Sequence, residues 1–120
     1  MHAAIDSPLV IEPLEIVLIP TGVGFQIPKN YEIQVRARSG LALKNGLSLV
    51  NGIGTIDADY RGEVSVIAIN LGQKAINVNP GDRIAQAVMI KTEKIEFEEV
   101  TELEESGRGL KGFGSTGTSA

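Results

Sequence analysis

The sequence predicts an all-β domain, a barrel or a sandwich, and three observations carry that expectation. Its 120 residues are 42% hydrophobic yet only 4% aromatic and without tryptophan, so the core must be built from Ile, Val, Leu and Ala. Such β-branched content favours strands. Short apolar or alternating runs recur at regular spacing between Gly- and Pro-containing turns, the pattern of a many-stranded β fold. The length suits one domain with one sizeable core.

Residues 14–19, "LEIVLI", are almost continuously apolar and break at "PTGVG", which predicts a buried strand ending in a turn. In "YEIQVRAR" the alternation is strict: Tyr31, Ile33, Val35 and Ala37 face one way, and Glu32, Gln34, Arg36 and Arg38 the other. That is a half-buried strand reaching Arg38. "SGLALKNG" predicts one short helical turn capped by Ser39 and stopped by Gly46. The glycine-broken "LVNGIGTIDADYRG" leads into a strand in "EVSVIAINL", and "INVNPGDRIAQAVMIK" offers strand, Pro-Gly turn and strand. "KIEFEEV" alternates once more and predicts a last strand. After Val100 the composition turns acidic and then rich in Gly, Ser and Thr, dividing the chain into a β domain, 1–103, and a flexible C-terminal tail, 104–120.

Composition narrows the function classes. There is no cysteine, which removes disulfides and thiolate metal sites. A net charge of -4 argues against a general nucleic-acid binder. No apolar run approaches a membrane span and no signal-peptide pattern follows Met1. A cytoplasmic protein with no nucleic-acid or membrane partner is the expectation. Gly112 to Gly117 spell GxGxxG, but only Thr118, Ser119 and Ala120 follow. A dinucleotide fingerprint needs a helix there, so that reading fails.

Four polar, glycine-bearing stretches interrupt the apolar pattern. In "RARSGLA", Arg38, Ser39 and Gly40 would offer a guanidinium, a hydroxyl and backbone amides to an anion; the plainer reading is a helix cap and a surface arginine. In "GTIDADYRGE", Asp57 or Asp59 could act as a general base beside the flat ring of Tyr60, although acidic residues also form turns. In "PGDRIAQA", the amide of Gln86 sits in an apolar strand and requires a partner. In the tail, Arg108, Lys111, Phe113, Ser115 and Thr116 stand among glycines, a set of cations, ring and hydroxyls suited to a phosphorylated nucleoside.

Taken in order, Arg-Ser-Gly at 38–40, Gly-x-x-Asp-x-Asp-Tyr-Arg-Gly at 54–62, Gly-Asp-Arg-x-Ala-Gln at 81–86 and the tail at 108–117 resemble the signature runs of the trimeric dUTPase family. The resemblance implies a jelly-roll-like β-barrel assembled as a homotrimer with active sites shared between subunits. It implies hydrolysis of dUTP to dUMP and pyrophosphate with Mg2+, which limits uracil in DNA and supplies dUMP for thymidylate synthesis. By position, Asp57 is the expected base for a water attacking the α-phosphorus. Ser39 and Gln86 are expected at the phosphates, with Gly40 beside Ser39 in the same motif, and Arg38 is expected to order the closed tail. Tyr60 is expected against the deoxyribose, where it would leave no room for a 2′-hydroxyl. Backbone groups from Asn51 through Gly54, Thr55 and Ile56 are expected to pair with the uracil edge. In the tail, which is expected to close over the active site, Phe113 would stack on uracil. Arg108, Ser115 and Thr116, with Gly114 between them, would hold the terminal phosphates.

The family's first motif ends in two alanines, matched by Ala3 and Ala4, and its magnesium-holding aspartate would fall before Met1. No metal ligand is therefore assigned among the residues, and Mg2+ is expected mainly through substrate phosphates and water. The competing expectation for a chain without that aspartate is a non-catalytic dUTP-binding or trimer-forming protein. The related dCTP deaminase group would need a glutamate where this chain has Ile67. A carbohydrate-binding jelly roll would call for more aromatics than the three Phe and two Tyr present.

Overall fold

The computed structural model describes residues 1–112. Eight strands and one helix follow in the order β1 (Leu9–Ile11), β2 (Ile16–Val23), β3 (Tyr31–Arg36), α1 (Ser39–Asn45), β4 (Leu47–Leu49), β5 (Gly54–Ile56), β6 (Val64–Asn70), β7 (Ile76–Val78) and β8 (Gln86–Lys91). They form sheets ordered β1-β7, β2-β6-β4 and β5-β3-β8, with antiparallel pairing throughout. The all-β expectation holds. The closed barrel does not: among the described residues no ladder joins one sheet to the next, and the arrangement is open. What unites the sheets is side-chain packing. Ile11, Ile76 and Val78 from the first sheet, Ile19, Val64, Val66, Ala68, Leu47 and Leu49 from the second, and Val35 from the third form one buried cluster.

β3 follows its alternation, with Ile33 and Val35 buried and Glu32, Gln34 and Arg36 half-buried on the other face. The polar side chains form a ladder along the strand: Gln34 Nε2 donates to Glu32 Oε1 at 2.8 Å, and Arg36 donates through an Nη nitrogen to Gln34 Oε1 at 2.7 Å.

β2 differs from its expectation in two ways. It runs on through Pro20 and Thr21 to Val23, because β2 lies at a sheet edge where a missing N–H costs nothing. A register shift between Pro20 and Val23, with Gly22 at φ 67°, bends it there. The Thr21 hydroxyl, buried, donates to the Val64 carbonyl at 2.6 Å and holds the bend. The apolar run is also buried on one face only. Ile19 is fully buried, while Leu14, Ile16 and Leu18 are 74%, 55% and 66% exposed.

The helix starts one residue away from the expected geometry. Arg38, not Ser39, is the N-cap, without a side-chain capping bond, and Ser39 is the first helical residue. Gly46 closes the helix as expected, at φ 77°, where a side chain is disfavoured. It is also pressed against a second glycine: a Cβ on Gly46 would overlap Gly72 N, and one on Gly72 would come within 2.5 Å of Asn45 O. The glycine pair lets the helix end dock on the chain leaving β6, and Leu71 N–H donates to Gly46 O at 2.9 Å.

The segment "KIEFEEV" forms no strand. Alternation needs a partner ladder to become a strand, and the described residues offer none, so Ile95 and Phe97 are 72% and 95% exposed.

Candidate functional site

The motif residues gather in two places. At the end of β3, Arg38, Ser39 and Gly40 line a cleft of about 390 Å³ together with Leu41, Lys44, Asn45 and Gln86. Gln86 reaches it because β8 pairs with β3 in a register that sets Gln86 opposite Arg36. Its amide is not orphaned, since Nε2 donates to the Ala37 carbonyl at 2.9 Å. Arg38 is steered by a second bond, Nη1 to the Arg83 carbonyl at 2.7 Å, which ties the helix start to the 81–86 stretch. The Met1 amino group also lies at this end. Burial first, then the charges of Arg38 and Arg83, hold its pKa below the ordinary value. With Lys44 on the last turn of α1, the cleft concentrates cations around exposed hydroxyl and amide groups, an arrangement for a polyanion.

The second place lies beyond β5. Thr55, Ile56, Asp57 and Tyr60 share a cleft of about 620 Å³ with Leu18, Glu63, Val64, Ser65 and Ile67. Asn51 and Gly54 line a smaller adjoining pocket of about 140 Å³ that also contains Thr55, Ile56 and Ile67. β5 is an edge strand, paired with β3 alone, so its outer backbone N–H and C=O groups are presented to the cleft side without a ladder partner among the described residues. Asp57 is exposed at the mouth. Its carbonyl accepts the Tyr60 N–H at 3.2 Å, so the carboxylate and the ring belong to one turn. Arg61 clamps that turn by donating from Nη1 to the carbonyls of Ala58 at 2.7 Å and Tyr60 at 2.9 Å.

The two clefts lie at opposite ends of the β3–β5 pair. Ile33 faces Ile56 and Val35 faces Gly54, so Asp57 emerges level with Glu32 while Ser39 lies past Arg36. The strand from 32 to 36 alone separates those ends by roughly 13 Å.

The family model described as dUTPase matches residues 2–117. The chain belongs to the dUTPase family. It is 57% identical over 115 residues to the deoxyuridine 5'-triphosphate nucleotidohydrolase of Desulfotalea psychrophila, covering 96% of this chain and 77% of that one. It is 52% identical over 117 residues to the enzyme of the same name from Orientia tsutsugamushi, covering 98% and 79%. Among solved structures it is similar to a mutant Staphylococcus bacteriophage 80alpha dUTPase with dUpNHpp, with a TM-score of 0.85, 29% identity, and 98% and 84% of the chains covered.

Within this dUTPase fold, the expected site residues up to Gln86 all fall on these clefts. Arg108 stands on neither and is exposed. Phe113, Gly114, Ser115 and Thr116 lie outside the described residues. Lys44, Leu18 and Glu63 line the clefts and were not anticipated. Lys44 sits one helical turn past Gly40, and that i, i+4 spacing is the signal that could have found it. Leu18 lies on β2 and Glu63 just before β6, and only the β2–β6 pairing brings them to one cleft. A cation cage is not available: among the described residues no three His, Asp or Glu side chains converge.

Proposed function

We propose that this chain hydrolyses dUTP to dUMP and pyrophosphate, limiting uracil incorporation and supplying dUMP. The observation that carries the reading is that the motif residues from Arg38 to Gln86 line clefts suited to the two ends of a nucleotide. Arg38, Ser39, Gly40, Gln86 and Lys44 receive the phosphates. Asn51, Gly54, Thr55 and Ile56 receive the base through the open edge of β5, and Tyr60 lies against the sugar.

Asp57 takes a proton from the attacking water; the new bond forms to the α-phosphorus, the bond to the bridging oxygen breaks, and pyrophosphate leaves with its electrons. Mg2+ would be held mainly by the substrate phosphates and water, since the described donors build no cage for it, and would supply neutralisation of the phosphate charge. Ile67 lines the same cleft as Asp57. An apolar side chain there cannot relay protons to a base, so deamination is not supported.

The separation of the clefts supports a homotrimer with shared sites: one copy cannot apply Asp57 and Ser39 to a single α-phosphorus, but two neighbouring copies can. The exposed Ile16, Leu18 and Ile67 on the β2–β6 sheet supply an apolar face suited to such a contact. Residues 1–103 form the β domain and 104–120 the tail, whose Arg108, Phe113, Gly114, Ser115 and Thr116 complete the site. No helix among the described residues is long and apolar enough to cross a membrane; the cytoplasm is the proposed location.

The test is pyrophosphate release from dUTP with Mg2+, with dCTP and UTP as controls. Turnover confined to dUTP is expected, and equal turnover of dCTP or UTP would overturn the reading. Removal of 107–120 is expected to lower dUTP turnover by about a hundredfold or more while the oligomer persists; unchanged turnover would remove the tail from the site.

A further inference from the structure

Tyr60 is 44% exposed, yet its ring has a defined seat. Its hydroxyl donates to the Glu63 carbonyl at 2.9 Å, folding the side chain back over Gly62. A Cβ built on Gly62 would overlap Tyr60 Oη, and would lie 2.6 Å from Cζ and 3.1 Å from Cε2. The ring therefore occupies the space that a side chain at 62 would need. Gly62 has no positive φ, so its backbone does not require glycine. The ring does.

The loop beneath is fixed from the other side. The Glu63 carboxylate accepts the Gly22 N–H at 2.7 Å, at the bend of β2. Gly24 passes so close that a Cβ there would lie 3.5 Å from the Gly62 carbonyl. The β2 bend thus holds the backbone of 62–63 in place, and the bare Cα of Gly62 sets how low the ring can lie.

We infer that Gly62 is a positioning residue for nucleotide selection: by leaving room for the Tyr60 ring, it sets the fit that excludes a 2′-hydroxyl. The inference rests on the proposed dUTP reading, and it deepens that reading by assigning sugar discrimination to a residue that touches no substrate. Because the atoms in the way are the end of an exposed side chain, the ring yields at little cost to folding. Gly62→Ala displaces the ring, breaks its bond to Glu63 and leaves it unheld on its solvent side. Selection is weakened while the fold is kept.

The experiment measures kcat and KM for dUTP and UTP in four proteins: wild type, Gly62→Ala, Tyr60→Ala and the double variant. Gly62→Ala is expected to raise the ratio of kcat/KM for UTP to that for dUTP about tenfold. In the Tyr60→Ala background it is expected to add nothing, since no ring remains to be displaced. The nucleotide-free protein gives a second readout: its tyrosine ring NMR signals come from two residues, and those of Tyr60 are expected to move in Gly62→Ala while those of Tyr31 stay. An unchanged ratio in Gly62→Ala, or an equal change with and without the ring, overturns the inference while dUTP is still turned over. A wild-type protein that leaves dUTP intact overturns the proposed function instead, and the Tyr60 signals then decide alone whether Gly62 seats the ring.

Discussion

Asp57→Asn is expected to lower dUTP turnover by about a thousandfold, the range for removing a positioned general base, while dUTP still binds. The substitution preserves shape and keeps one acceptor oxygen, but an amide cannot take a proton from water. The turn should survive it, because what the turn uses is the Asp57 backbone carbonyl, which accepts the Tyr60 N–H, and not the carboxylate. Pyrophosphate release in the presence of Mg2+ checks the turnover, and calorimetric titration with dUTP checks the binding. Full turnover would rule Asp57 out as the base. Loss of binding together with turnover would mean that the carboxylate holds substrate instead of activating water.

The largest effect on stability is expected at Asn70. It is fully buried, and its side chain is completely used: Nδ2 donates to the Ile11 and Lys74 carbonyls, both at 2.8 Å, and Oδ1 accepts the Gly72 N–H at 2.8 Å. One residue at the end of β6 thereby ties down β1 and the loop toward β7. Asn70→Ala removes three bonds and leaves two carbonyls and an N–H buried or half-buried without partners, a loss of about 3 kcal/mol or more. Urea unfolding at one fixed protein concentration, so that assembly does not enter the comparison, is the measurement. A change below about 1 kcal/mol would show that water replaces the side chain at little cost. The effect should extend to the cleft lined by Ser39 and Lys44, because Gly72 seats Gly46 at the close of α1.

Much of this was legible in the residues. β3 declares itself by alternation, β6 by a largely apolar run after a glycine-broken segment, Gly46 by its place after the helix, and Gln86 by being a polar amide in an apolar strand that had to find a partner. The failures share a cause. "KIEFEEV" has the right pattern for a strand, but a strand is a relation between two segments, and alternation reports only one of them. Pro20 and Gly22 look like an end to β2 until the strand is known to lie at an edge and to be held by Thr21. Barrel closure is a property of all the strands together, and no local run encodes it. At the site, the motifs supplied the residues but not their grouping into two clefts, which follows from the β3–β5 register. Gly62 was visible as a motif letter, whereas its contact with the Tyr60 ring, and the bond from that ring to the Glu63 carbonyl, appear only in three dimensions.

The distance between the two clefts also bears on how activity responds to the amount of protein. If a working site exists only where copies meet, an isolated chain contributes half-sites, and the number of complete ones follows mass action in the free chain. Above the assembly midpoint, output rises in proportion to protein. Below it, output falls more steeply than concentration, so that a modest reduction in synthesis removes most of the catalysis. On the proposed shared site, placing Asp57 and Ser39 at opposite ends of one small sheet would make abundance itself a control on the reaction.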